Sequence, residues 1–215
     1  MSDRGRAFGR RAAGELTVQA TRALSAAALV GGMLALMWLL EAIDYVLGGW
    51  LDTFGIRALY LPDLPQIFSA PFLHGNFEHL MANTVPFAVL GFAAAIRGPG
   101  KFVLMNLIVI VIGGLGVWLT GPPNSETLGA SLLVFGYFGY LLGRGFFERH
   151  LGDAVIAVAA FALYGSILYS VLPTNTLVSW QGHLFGLIGG LVSSYALRRR
   201  RQRELPPAHR HVTGV

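Results

Sequence analysis

The sequence of 215 residues contains no cysteine, and only 13% of its residues are charged. The absence of cysteine excludes disulfide bonds, thiolate metal sites and a cysteine nucleophile. A water-soluble domain carries about 25% charged residues, because its surface must be solvated. Half that fraction, together with 54% hydrophobic residues, indicates that most of the surface faces something other than water. The net charge of +5 lies at the ends of apolar segments, which favours a lipid bilayer over nucleic acid as the partner.

A removable signal peptide is also missing, since the first twenty residues are polar and Arg-rich, with no short apolar core before a small-residue cleavage site. Apolar runs of roughly the ~20 residues that a bilayer requires predict six spanning helices. Their ranges are 24–47, 79–96, 102–120, 130–147, 153–171 and 181–197. The chain is thereby divided into an N-terminal tail (1–23), a membrane domain (24–197) and a basic C-terminal tail (198–215).

The connection at 48–78 is much longer than the other breaks, which are short and rich in Gly, Pro and Asn. A structureless connection of that length is uncommon in a compact domain and is usually functional. We therefore expect an all-α membrane protein in which a long, ordered and partly embedded loop joins helices one and two.

Positive charge fixes the predicted orientation. Of the sixteen Lys and Arg residues, all except Arg57 fall on one side of a six-span topology. The positive-inside rule then places both termini in the cytoplasm. The bias towards Arg over Lys, without an organelle transit pattern, indicates the plasma membrane of a bacterium.

Ionisable and amide side chains inside membrane helices cost several kcal/mol each and mark functional sites by default. Glu41 and Asp44 lie near the outer end of helix one, where capping or pairing with the long loop is the simpler interpretation and a proton relay the alternative. His79 and Asn83 are four residues apart, so they share a face of helix two. For either residue alone, a hydrogen bond to a neighbouring helix would be sufficient explanation.

Ser131 and His183 open the fourth and sixth predicted helices. Gly186 and Gly190 share the face that carries His183, and small residues at this spacing let two helix backbones approach closely. If the partner is helix four, Ser131 and His183 come within hydrogen-bonding distance. That is the arrangement in which a histidine can activate a serine as a nucleophile.

Together these positions resemble the rhomboid intramembrane proteases over about residues 25–197. The motifs that carry the resemblance are His74-x4-His79-x3-Asn83, Gly129-x-Ser131 and His183-x2-Gly186-x3-Gly190. Their order, spacing and helix numbers all agree with a six-helix rhomboid-like bundle.

The resemblance implies a serine endopeptidase without a cofactor or metal, acting on single-span or multi-span membrane proteins. Ser131 would be the nucleophile and His183 its general base. Asn83, His79 and the backbone N–H of Ser131 would form the oxyanion hole, which stabilises the charge that develops during acyl transfer.

Supporting roles are implied for His74, which would hold the long loop, and for Phe135, which would stack under His183. Gly129, Gly186 and Gly190 complete the motifs. Helix five at 153–171 and the following loop at 172–180 would gate the access of substrate helices.

One position departs from the family pattern, because Leu132 stands where Gly usually follows the nucleophile. This favours an alternative function, a catalytically inactive rhomboid-like protein that binds membrane clients. A metal-dependent hydrolase using His74, His79 and His183 is a further alternative, but His-Glu-x-x-His is absent. A transporter or channel would require discontinuous helices or inverted repeats, which the sequence does not display.

Overall fold

The computed structural model describes residues 3–148, 150–173 and 179–198, with side chains from residue 13 onward. Within these residues it contains six α-helices, and the prediction of an all-α membrane protein is confirmed. The helices are α1 (Asp3–Leu47), α2 (Phe77–Ala95), α3 (Pro99–Thr120), α4 (Ser131–Phe147), α5 (Leu151–Tyr164) and α6 (Trp180–Ala196). Three described segments are long and apolar enough to cross a bilayer alone, namely Ala13–Leu47, Pro99–Thr120 and Leu151–Val171.

The N-terminal boundary differs from the prediction. Helix α1 begins at Asp3 rather than near residue 24 and is 45 residues long, because the segment before residue 24 contains no Pro and is rich in Ala and Arg. At 1.5 Å per residue, α1 is about 65 Å long, roughly twice the thickness of a hydrocarbon core. Its first half therefore extends beyond the apolar layer. The predicted basic tail lies outside the described residues from position 199 onward.

The end of α5 differs as well. The α-helical part stops at Tyr164, and the chain continues as a 3₁₀ segment at Gly165–Val171, called the 3₁₀ segment below. Gly165, which follows the last α-helical residue, is a poor helix former. Most of the loop predicted at 172–180 lies outside the described residues.

The two ends of the bundle differ in structure. At one end, called the loop face, the connection between α1 and α2 forms three 3₁₀ turns and a short strand β1 (Ile56–Arg57). Strand β1 pairs antiparallel with β2 (Glu126–Thr127), so that Ile56 lies opposite Thr127. The connection is therefore ordered, as predicted, and is fixed to the segment that precedes α4.

Helix α4 occupies the centre of the bundle, and every residue at 132–141 is buried. Its closest neighbour is α6, and glycines on both helices bring the two backbones together. A Cβ at Gly186 would overlap the carbonyl oxygen of Leu132, and one at Gly190 would overlap that of Gly136. The close approach that the glycine spacing predicted is confirmed. We call this contact the α4–α6 seam.

Helix α5 is packed differently, with only three buried residues, Asp153, Ala157 and Ala160. Asp153 anchors it at the opposite end of the bundle, the basic face. There Asp153 forms ion pairs with Arg144 of α4 and with Arg97, 3.1 Å away, and Arg97 also pairs with Glu148 at 2.8 Å. This ion cluster joins α5 to α4 and to the end of α2.

Candidate active site

A cavity of about 820 Å³ lies at the loop face of the bundle. It is lined by side chains from the connection between α1 and α2, from α2, from the start of α4, from the 3₁₀ segment and from α6. The residues singled out from the sequence that share its wall are His79, Asn83, Ser131, Phe135 and His183. Helices far apart in the chain thus place these groups around one water-accessible space.

Ser131 is the first residue of α4, and a network of backbone contacts fixes the turn before it. The N–H of Gly129 donates to the carbonyl of Ala70 at 2.9 Å, and the N–H of Ala130 donates to Nε2 of His74 at 3.2 Å. Gly129 has φ +124°, and a Cβ there would contact the imidazole of His79. Both the dihedral angle and the lack of space therefore require glycine.

The hydrogen bond to Ala130 requires an unprotonated Nε2 on His74. Burial of His74, with a smaller contribution from the neighbouring His79, lowers the pKa of its imidazole to about 4. His74 is consequently neutral at physiological pH and can accept the Ala130 N–H throughout that range. It ties the connection between α1 and α2 to the start of α4.

His183 lies in the first turn of α6 and is 5% exposed. Its ring stacks on Phe135 of α4 with centroids 4.2 Å apart and an interplanar angle of 11°. Its Nδ1 lies 2.9 Å from the backbone carbonyl oxygen of Ser170, in the 3₁₀ segment. The ring is thus held on one face by an aromatic side chain and at one nitrogen by a carbonyl.

Helix α2 presents His79 and Asn83 to the cavity from the opposite side. The side chain of Asn76 caps the helix by accepting the His79 backbone N–H at 2.8 Å. Nδ2 of Asn83 donates to the carbonyl of His79 at 3.1 Å. An amide has two N–H donors, so this bond leaves the second available to a bound group.

Leu132 is accommodated by α3. Its buried side chain packs against Gly113, where a Cβ would collide with the Leu132 isobutyl group. Leu132 is not one of the described residues that line the large cavity. The extra side chain therefore occupies space that Gly113 provides, and its backbone is still closely approached by Gly186.

The cavity-lining residues that were not singled out from the sequence include Asp52 and Ser170. Burial, followed by the negative charges of Asp44 and Glu126, raises the pKa of Asp52 to about 6. A carboxylate in a loop carries no sequence signal of this kind. Ser170 contributes through its backbone, which every residue type shares.

The two acidic residues near the end of α1 differ in their contacts. Asp44 accepts the backbone N–H of Leu51, so the predicted contact with the long connection is confirmed for this residue. Oε2 of the buried Glu41 has no hydrogen-bond partner among the described residues. The predicted pairing is therefore not seen at that atom.

Metal binding receives no support from the histidines. No three His, Asp or Glu side chains in the described ranges are arranged to hold a metal ion. Nε2 of His74 is occupied by the Ala130 N–H, and Nδ1 of His183 by the Ser170 carbonyl. Ser131 and His183 both line the cavity, but the hydrogen bond predicted between their side chains is not present among the described residues.

Known proteins are similar to this chain over most of its length. The family described as Rhomboid domain matches residues 62–200. An uncharacterized protein of Mycobacterium tuberculosis is 42% identical over 182 residues, covering 79% of this chain and 76% of the relative. An uncharacterized protein of Mycobacterium leprae is 40% identical, covering 79% and 72%. The Bacillus subtilis protein named "Putative rhomboid protease YdcA" is 31% identical over 139 residues, covering 61% and 66%.

Proposed function

Because this chain belongs to the rhomboid family, we propose that it is an intramembrane serine endopeptidase that hydrolyses membrane-protein substrates. The observation that carries the proposal is the shared cavity. Ser131 and His183 line it together, and the His183 ring is already fixed by Phe135 and the Ser170 carbonyl. A nucleophile and a base need this restricted geometry before the substrate arrives.

In the proposed reaction, Oγ of Ser131 attacks the carbonyl carbon of the scissile peptide while Nε2 of His183 accepts its proton. The tetrahedral intermediate collapses to an acyl-enzyme, and His183 returns the proton to the leaving amine. Water then attacks the ester with His183 again as the base, which releases the acid product and regenerates Ser131.

The negative oxygen of the intermediate would be bound by Asn83, His79 and the backbone N–H of Ser131. Such preorganised donors are worth about 3–4 kcal/mol each in acyl transfer. The support for this assignment is that both side chains of α2 line the cavity opposite α4. The network of His74, Gly129 and Ala70 holds the Ser131 end of α4 in a fixed position relative to α2.

The charge distribution supports placement as a multi-pass protein of a bacterial plasma membrane, with both termini in the cytoplasm. The basic face would then be cytoplasmic and the cavity would open towards the outer surface. Water could reach Ser131 from that side, while substrate helices would arrive through the lipid. The substrates would be single-span or multi-span membrane proteins.

The alternative, a client-binding protein without catalysis, is motivated by Leu132. Its side chain packs against Gly113 rather than lining the cavity, so it does not crowd the proposed nucleophile. This contact supports the protease function over the alternative.

The test is labelling of the purified protein in detergent with a fluorophosphonate probe, which requires no knowledge of the substrate. We expect labelling of the wild type and none of Ser131→Ala or His183→Ala. Ser25→Ala in α1 and His150→Ala before α5 serve as matched controls, because both residues lie outside the cavity wall. A folded wild type that does not react would favour client binding, and labelling of Ser131→Ala would identify a different nucleophile.

A further inference from the structure

The contact between His183 and Ser170 determines which nitrogen of the imidazole can act as a base. A carbonyl oxygen only accepts hydrogen bonds, so the 2.9 Å contact requires the proton on Nδ1. A neutral imidazole with Nδ1–H has an unprotonated Nε2. The carbonyl thus selects the tautomer that a general base needs.

We propose that Ser170 is a positioning residue, whose backbone carbonyl orients His183 and makes activation of Ser131 depend on the 3₁₀ segment lying against α6. The proposal rests on the protease function above. In Ser–His–Asp enzymes a buried carboxylate performs this orienting role and stabilises the correct tautomer. Within the described residues Nδ1 of His183 has no hydrogen-bond partner other than the Ser170 carbonyl.

The segment that supplies the carbonyl has no fully buried residue, although Ile167 and Leu168 pack against the core. Helix α5, which precedes it, faces outward with Val158 70% and Leu163 72% exposed. Inside the segment, Oγ of Ser170 donates to the carbonyl of Ile167 at 2.6 Å and closes the last turn. This bond determines where the Ser170 carbonyl lies.

The same segment forms part of the cavity wall, through Ile167 and Ser170. Any movement that takes this wall away from α6 also takes the carbonyl away from His183. Without that acceptor the imidazole is free to place its proton on Nε2, the nitrogen that must receive the proton of Ser131. The position of α5 and the competence of the base are therefore coupled through one hydrogen bond.

The direct test weakens this carbonyl as an acceptor and removes one backbone N–H, a loss that the control shares. Replacing Val171 by its α-hydroxy analogue converts the 170–171 amide to an ester, whose carbonyl is a poorer acceptor. The matched control places the same change at Tyr169, which alters the carbonyl of Leu168 in the same segment. With fluorophosphonate labelling measured over a range of probe concentrations, the first-order rate at saturation and the half-saturating concentration are obtained separately.

We expect the Val171 ester to lower the saturating rate about 3- to 10-fold, the factor that one ordinary hydrogen bond supplies. The half-saturating concentration should stay unchanged, and the Tyr169 ester should react like the wild type. An unchanged rate in the Val171 ester, or an equal loss in both esters, would overturn the role of the Ser170 carbonyl while leaving the Ser131–His183 assignment intact. Absence of labelling in the folded wild type would overturn both.

A second measurement uses ordinary substitutions. Ser170→Ala removes the bond to the Ile167 carbonyl, whereas Ser170→Thr retains a hydroxyl. We expect Ala to lower the saturating rate and Thr to restore it, with equal thermal stability of the two variants. If both variants label at the wild-type rate, the hydroxyl does not place the carbonyl and the proposed coupling is wrong.

Discussion

Ser131 and the carbonyl that contacts His183 are held by two very different parts of the molecule. Along the α4–α6 seam, glycines place backbone against backbone, so the helices that carry Ser131 and His183 have little freedom to separate. Helix α5 and the 3₁₀ segment bury only a few small side chains and are anchored mainly at the basic face. The helices that carry Ser131 and His183 are thus fixed against each other, while the Ser170 carbonyl lies on a less buried element.

This difference follows from packing rather than from hydrophobicity, since both parts are strongly apolar. Backbone contact at glycine leaves no flexible side chain that could adjust to a displacement. Helix α5 also packs closely on α4 at its anchored end, where a Cβ at Gly145 would overlap Ala157, and it buries little along the rest of its length.

The largest effect is expected from Gly190→Ala in the seam. A Cβ there would overlap the carbonyl of Gly136 and the backbone N–H of Tyr140, neither of which can rotate away. We expect a loss of more than about 3 kcal/mol in stability or failure to fold. Gly32→Ala in α1 is the control, because its Cβ would meet nothing within 4 Å. Thermal unfolding in detergent measures both, and equal midpoints would show that the seam is not tightly closed.

The next largest effect concerns the anchor of α5. Asp153→Asn leaves Arg144 without its carboxylate partner in a buried position, which costs about 3–5 kcal/mol. The loss should be concentrated in α5, and hydrogen exchange should accelerate there while the α4–α6 seam stays protected.

The control for this prediction removes both partners. Arg144→Met combined with Asp153→Leu replaces the pair by apolar side chains and should recover most of the stability, since the Arg97–Glu148 pair remains. Uniformly faster exchange in α4 and α6 after Asp153→Asn would contradict the view that the two regions are held independently.

A smaller effect is expected at Leu132, where α4 meets α3. Leu132→Ala leaves the space beside Gly113 unfilled and should cost about 2–4 kcal/mol. Leu132→Met, which conserves volume, should cost less than about 1.5 kcal/mol. Both variants should still react with the fluorophosphonate where they are folded. A faster reaction of Leu132→Gly than of the wild type would show that the leucine does hinder Ser131.

Much of the fold follows from the sequence, because apolar length and helical periodicity are properties of single segments. Six helices and the close contact of α4 with α6 could be predicted from apolar runs and from the spacing of Gly186 and Gly190. The beginning of α1 could not, since hydropathy marks the apolar core and does not register a polar helix that continues beyond it. The 3₁₀ ending of α5 could not be predicted either, since Gly165 lowers helix propensity without changing the apolar character of the run.

The residues of the candidate site also divide into those that the sequence predicts and those that it does not. Ser131, His183, His79 and Asn83 stand out because polar side chains are costly in a membrane helix. The Ser170 carbonyl leaves no such trace, since a backbone group is present at every position. Burial of Arg144 was also missed, because an arginine at the end of an apolar run normally marks the membrane surface.

The smallest net effect is expected from pH, which acts at the loop face and should leave α5 undisturbed. His74 has a pKa of about 4 in the folded protein against 6.5 ordinarily. The unfolded chain therefore binds an extra proton between these values, and stability falls as pH drops from about 6.5 to about 4. Asp52 behaves oppositely, with a folded pKa of about 6 against 3.8. Its folded state binds the extra proton, so stability rises as pH falls from about 6 to about 4.

In the wild type the two contributions oppose each other between about pH 4 and 6, and the stability profile should be shallow. Asp52→Asn removes the compensating rise, so acidification should become more damaging, by at most about 3 kcal/mol from His74. His74→Gln keeps an acceptor for the Ala130 N–H and should instead be relatively more stable at pH 4.5 than at pH 7. Measuring the unfolding of both variants as a function of pH tests whether the two groups make these opposing contributions to stability. Curves parallel to that of the wild type would mean that these two groups do not titrate with folding, and that the loop face is as independent of pH as the seam.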